Sequence, residues 1–219
     1  MYSNIDIMKI TFEKATHKHQ QAIFNWLKEP HVQEFWDNTQ AHKDDIINFM
    51  EGRKEPSDYA DGRYVYWVGL VDDQPYSLIM TIKMDLGEER VQLKADHLSK
   101  IGKTYGLEYM IGDKRYIGKG LGAKTLALFV EFFRKVFDEC ADTSLIDPDF
   151  TNPRAKHVYE KAGFIHVGDF IMGGNGCFAG RESHLLAKKL QGDFGTSVQV
   201  CGKYRSYLQT SQLWAFGIG

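Results

Sequence analysis

The sequence predicts a single domain of α/β (α+β) class, a mixed β-sheet flanked by helices, and three observations predict it. Segments with strand character and segments with helical spacing follow one another as β-α-α-β-β-β-α-β-α-β-β, an antiparallel front half joined to a β-α-β-α-β back half. A chain of 219 residues with 43% hydrophobic content can bury one sizeable core, and no repeat or low-complexity block divides it. Recognisable periodicity ends near residue 191, which sets 1–191 as the domain and 192–219 as a C-terminal extension of unknown role.

The elements follow in order. Met8–Glu13 alternates apolar and polar residues and reads as a first strand. Thr16 has the chemistry of an N-cap for a helix over about His17–Lys28, with Ala22, Ile23, Trp26 and Leu27 on its apolar face and Pro30 at its stop. A second helix follows Thr39, with Ile46, Ile47 and Met50 on one side. Tyr64–Val71 and Tyr76–Met84 are rich in aromatic and β-branched residues and form a hairpin around Asp72-Asp73-Gln74-Pro75. Asp85–Lys103 is polar and poorly periodic, a long excursion. Tyr105–Ile111 is the central strand, after which Leu126, Phe129, Val130, Phe133, Val136 and Phe137 recur at helical spacing. Thr143–Ile146 is a short strand ending at Asp147-Pro148, and a helix over about Asn152–Ala162 is closed by Gly163. Phe164–Met172 and Glu182–Lys189 are the last strands, and the tail offers an edge strand near Ser197–Tyr204, a cover for an apolar patch or a dimer contact.

Between the central strand and its helix lies Arg115-Tyr116-Ile117-Gly118-Lys119-Gly120-Leu121-Gly122, with glycines on alternate positions where the helix must begin. Glycine permits a tight turn and close approach, and the free N–H groups and dipole of a helix start attract an anion such as a diphosphate. The spacing fits neither the nucleoside-triphosphatase loop nor the dinucleotide fingerprint. It fits Arg-x-x-Gly-x-Gly. Further on, Asn152 to Phe164 reads Asn-x-Arg-Ala-x-x-x-Tyr-Glu-Lys-x-Gly-Phe. In this order and spacing the two motifs resemble the acyl-CoA site of the GNAT superfamily of N-acetyltransferases, over roughly residues 8–190. The nearest likeness is to aminoglycoside 6′-N-acetyltransferases and the acyltransferases of hydroxamate siderophore synthesis.

The resemblance implies the GNAT acyl-CoA N-acyltransferase fold, a twisted mixed sheet splayed open between the central strand and Thr143–Ile146, with acetyl-CoA in the opening. It implies cofactor contacts from Ile111, Arg115, Ile117, Gly118, Lys119, Gly120, Leu121, Gly122, Asn152 and Arg154. Asn152 also has the chemistry of the helix N-cap, and Arg154 that of a surface salt bridge. Acetyl transfer to an amine needs a proton acceptor, a hold on the oxyanion and a proton donor to the departing thiolate. The resemblance assigns the base to Glu108, directly or through water, where the antibiotic enzymes usually have aspartate and the siderophore enzymes tend to have histidine. By sequence alone Glu108 reads first as the solvated face of a strand. Tyr159 matches the donor to sulfur, or else a packed core aromatic, and Trp36 and Asp147 match acceptor contacts.

Residues 34–96 carry 14 Asp/Glu against 7 Lys/Arg, a field suited to a cationic acceptor or simply a solubilising surface. The expected reaction is direct, ternary-complex transfer from acetyl-CoA to a primary amine of a cationic small molecule, foremost the 6′-amine of an aminoglycoside. The alternatives are an N6-hydroxylysine-type siderophore precursor, a protein N-terminus, or a non-catalytic acyl-CoA-binding module. A net charge of −2 gives no pull toward nucleic acid or membrane, and no apolar run reaches the ~20 residues of a membrane helix. A cytoplasmic monomer or homodimer is expected. Cys140, Cys177 and Cys201 show neither disulfide nor zinc spacing and read as reduced thiols, and the eight histidines suggest no metal site.

Overall fold

Seven runs form strands in the computed structural model, which describes residues 8–87, 89, 91–174 and 177–190. They are β1 (Ile10–Lys14), β2 (Val65–Val71), β3 (Gln74–Met84), β4 (Lys103–Ile111), β5 (Ala141–Ile146), β6 (Ile165–Ile171) and β7 (Glu182–Lys189). One sheet orders them β1-β2-β3-β4-β5-β7-β6, antiparallel at every pairing except the parallel β4–β5. The helices are α1 (His17–Trp26), α2 (Pro30–Gln33), α3 (Gln40–Met50), α4 (Gln92–Asp96), α5 (Leu121–Val136) and α6 (Pro153–Lys161).

Strand alternation gives the sheet two apolar faces, each with its own core. On one, Trp67, Ile79, Tyr105 and Leu107 meet Leu126, Phe129, Val130 and Phe133 of α5 and Tyr159 of α6. On the other, Tyr66, Val68, Leu78, Met80 and Met110 meet Ile23, Trp26 and Leu27 around α1 and Ile46 of α3. Full burial of each large side chain is worth roughly 1.5–3 kcal/mol, so these two layers hold the sheet between its helices. The apolar face of α5 is shorter than its spacing suggests: Val136 is exposed and Phe137 half-exposed, the latter packing edge-on against Trp67.

Three local differences have plain causes. The hairpin turn is only Asp72-Asp73, both at positive φ, a backbone that aspartate tolerates, so Gln74 and Pro75 begin β3. Pro30 starts the one-turn α2 rather than merely stopping α1, because proline suits the first helical position. The excursion before β4 contains α4. His19 is buried: its Nδ1 accepts the Thr16 N–H (3.1 Å) and its Nε2 donates to Glu13 (2.9 Å). Cys177 is free, but Cys140 is disulfide-bonded, contrary to the expectation of reduced thiols. No helix among the described residues is long and apolar enough to cross a membrane. The C-terminal extension and its expected edge strand lie outside the described residues.

Candidate functional site

The parallel ladder between β4 and β5 runs from Lys103↔Ala141 to Leu107↔Ile146 and stops there, whereas β3 stays paired with β4 as far as Ile111. Glu108 to Ile111 therefore have no β5 neighbour, and the sheet opens just beyond Leu107 and Ile146. A cavity of about 850 Å³ occupies the opening, within the range of small-molecule sites. Because it lies in a gap in the sheet, side chains from both faces reach it. Twelve of the fourteen residues singled out in the sequence line it: Trp36, Glu108, Ile111, Ile117, Gly118, Gly120, Leu121, Gly122, Asp147, Asn152, Arg154 and Tyr159.

At the strand-to-helix corner, Gly118 and Gly120 adopt φ of +76° and +75°, conformations that glycine takes without strain. The first turn of α5 carries neither a side-chain cap nor an acidic residue, so its N–H groups and dipole are left for an anion. The corner is anchored from beneath: the Thr125 hydroxyl donates to the Leu121 carbonyl (2.7 Å) and accepts from the Tyr76 hydroxyl. The third glycine serves differently. A Cβ on Gly122 would lie 2.9 Å from Val158 Cγ1, so the lack of a side chain there admits α6 against α5. Arg115 and Lys119 do not line the cavity. The Arg115 guanidinium is turned onto Asp113, donating to it at 2.5–3.0 Å, and the Lys119 ammonium lies 5.8 Å from the Tyr116 ring centre.

Alternation along β4 places Glu108 on the same face as Met110, toward α1 and α3. Its carboxylate accepts a hydrogen bond from Tyr64, the residue preceding β2. Burial, aided by the charge of Asp147, pushes Glu108 up to about 7 despite the Tyr64 hydrogen bond and the opposing charge of Lys94. A carboxylate balanced between its two forms near neutrality can take a proton and pass it on. Tyr159 comes from the other face, on α6. Its hydroxyl has no hydrogen-bond partner among the described residues, and burial, then the negative charges of Asp147 and Glu108, keep it firmly protonated. Asn152 caps α6, accepting the Ala155 N–H at 3.0 Å, and Arg154 is exposed at the rim with no ion-pair partner among the described residues.

On the remaining wall Trp36 is buried, its indole N–H without a partner among the described residues. Asp147, at the end of β5, is ion-paired with Lys94 of α4 (3.2 Å), and burial still pushes its carboxyl up. Arg181 bridges the wall, donating to the Glu34 carbonyl (3.4 Å) and the Asp149 carboxylate (3.3 Å). Tyr64, Lys94 and Arg181 were not singled out in the sequence: one sits in an aromatic hairpin, one in the aperiodic excursion and one beyond the glycine-rich turn, and their partners are 44, 53 and 32 or more positions away.

A family model described as an acetyltransferase (GNAT) domain matches residues 15–172. The type 1 aminoglycoside N(6′)-acetyltransferases of Klebsiella pneumoniae and Serratia marcescens are each 23% identical over 161 residues, 73% of this chain and 75% of theirs. Among solved structures, the aminoglycoside N(6′)-acetyltransferase of Legionella pneumophila superposes with a TM-score of 0.63 at 22% identity, covering 82% of this chain and 91% of the other. Spermidine N-acetyltransferase from Vibrio cholerae, in complex with CoA and spermine, gives 0.59 at 12% identity, covering 82% and 95%.

Proposed function

The chain belongs to the GNAT acetyltransferase family, and from that premise we propose that it carries an acetyl group from acetyl-CoA to a primary amine of a cationic small molecule, foremost the 6′-amine of an aminoglycoside. The observation that carries the reading is the buried Glu108 carboxylate, held near 7 at the point where β4 and β5 part. Its surroundings fit the cofactor: an uncapped helix start with two left-handed glycines stands on the cavity wall, and Asn152 and Arg154 line the same cavity. Acetyl-CoA supplies the thioester carbonyl that the amine attacks.

The residues of this chain divide the remaining work. The amides from Ile117 to Gly122 hold the diphosphate, Arg154 adds a positive charge at the rim, and Asn152 reaches the arm of the cofactor with whatever capacity its capping bond leaves. Glu108 removes the proton that the attacking ammonium must lose, and Tyr159 returns one to the departing sulfur. The transfer is direct, with no acyl group on the protein. Trp36 offers an apolar wall for a sugar ring. Asp147 and Asp149 offer negative charge that is partly neutralised by Lys94 and Arg181, so a polycationic acceptor would compete with those two cations for their partners. The acetyltransferases of similar sequence are named for aminoglycosides, which supports this class of acceptor.

The test is release of free CoA thiol against a panel of aminoglycosides with a 6′-amine, their 6′-hydroxyl counterparts, polyamines and N6-hydroxylysine. Turnover confined to the 6′-amines is the expected result. Turnover with polyamines or hydroxylysine alone would move the acceptor assignment, and no release with any amine would leave a binding module.

A further inference from the structure

On the β6–β7 hairpin, His166, Asp169 and His184 converge. We propose that these three side chains form a binding site for one divalent transition-metal ion of the zinc type. The strand register explains the convergence. Asp169 lies directly opposite His184. His166 and Asp169, three apart on one strand, would ordinarily point to opposite faces, but the register shifts between His166 and Gly168, and one extra residue restores them to the same side. Gly168 makes the bulge possible: its φ is +155°, and a Cβ there would meet Leu93 at 3.0 Å.

The distances suit a single ion. His166 Nε2 and His184 Nδ1 lie 2.7 and 2.5 Å from the same oxygen, Asp169 Oδ1, and the three ligand atoms all lie within 4.8 Å of one another. A tetrahedral ion with bonds of about 2.0–2.1 Å would hold its ligands about 3.3 Å apart, so each ring nitrogen would draw back from the carboxylate oxygen by about 0.6–0.8 Å while the ligand atoms, now within 4.8 Å of one another, close around the ion. Two imidazoles and one carboxylate form a donor set for zinc, cobalt or nickel rather than for calcium or magnesium. These side chains hydrogen-bond to no other described residue, so no other bond must be given up. His184 is buried beneath Phe150, with ring centres 4.7 Å apart, whereas His166 and Asp169 are partly open to solvent, leaving an approach and room for a water ligand.

Spacing along the chain suggested no metal site, because two of the ligands meet across strands and the third is turned inward by a bulge. An ion here would tie the edge strand β6 to β7, whose Ser183 points the other way and lines the cavity.

The experiment takes the full chain, strips it with a chelator and titrates it with Zn²⁺ by calorimetry and with Co²⁺ by visible absorption. One ion per chain is expected, with Tm raised by roughly 5–10 °C at a hundredfold excess over Kd. His166→Ala and Asp169→Asn, both at partly exposed positions, should each weaken binding at least tenfold while the metal-free variants keep the parent's Tm within a few degrees. Binding unchanged in both variants would overturn the assignment, as would the absence of a stoichiometric phase in the parent. His184→Ala removes a buried ring, so a poorly folded His184 variant leaves the decision to the other two.

Discussion

Glu108→Gln should remove turnover and, above neutral pH, make the protein more stable. Burial raises the Glu108 carboxyl from its ordinary 4.5 to about 7, so the folded chain holds this proton more tightly than the unfolded chain does. The ionised carboxylate therefore costs folding free energy. That cost is absent below about pH 4.5, grows as pH rises toward 7 and is complete above it. At about 1.4 kcal/mol per tenfold, the rise corresponds to roughly 3 kcal/mol. Glutamine keeps the shape and an oxygen to accept from Tyr64 but never ionises, so the variant escapes the penalty. Thermal unfolding at pH 8.5 should show it melting roughly 5–10 °C above the parent, with the difference vanishing below about pH 4.5. In the thiol-release assay, the parent's kcat/KM should fall on the acid side of a midpoint near 7, whereas the variant should be slower by a factor on the order of 10²–10⁴ and lack that limb. An acid limb that persists in the variant would belong to the acceptor amine instead. A variant that melts lower at pH 8.5, or loses cofactor affinity as much as turnover, would refute the reasoning and give Glu108 a structural role.

Tyr159→Phe keeps the packing of α6 and deletes only the hydroxyl, so kcat should fall roughly 10²-fold with the KM for acetyl-CoA within about threefold; equal losses in kcat and in affinity would leave it a core aromatic. Tyr64→Phe deletes the donor that holds Glu108 down, so the acid midpoint of kcat/KM should move upward by about one pH unit; an unmoved midpoint would separate Tyr64 from the base. Gly122→Ala should destabilise the protein by about 1–3 kcal/mol through the clash with Val158, and Val158→Ala in the same chain should recover most of it; additive losses in this double-mutant cycle would mean the two helices do not meet there.

How much of the site the sequence disclosed depended on how locally each part is made. The glycine corner was legible because strand, turn and helix start are consecutive residues, and glycine at left-handed φ leaves a mark in the chain itself. Asn152 was legible for the same reason, as a cap three residues from the amide it receives. Arg115 stands off the cavity because Asp113, two residues away, takes its guanidinium, and where an arginine turns depends on direction rather than on spacing. Gly122 lines the cavity and also makes room for Val158, a second purpose that the chain alone does not disclose because α6 meets α5 only in the folded protein.

The sequence by itself determined the seven strands, the α5 and α6 frame and the position of the glycine corner, because period, caps and turns are written in neighbouring residues. Only the tertiary structure decided that β4 and β5 part after Leu107 and Ile146, that burial raises the Glu108 and Asp147 carboxyls against the pull of Tyr64 and Lys94, and that a bulge turns His166 toward Asp169. Those outcomes rest on pairings across dozens of residues. Burial and distance, which move a pKa or complete a ligand set, arise only when the chain has closed on itself.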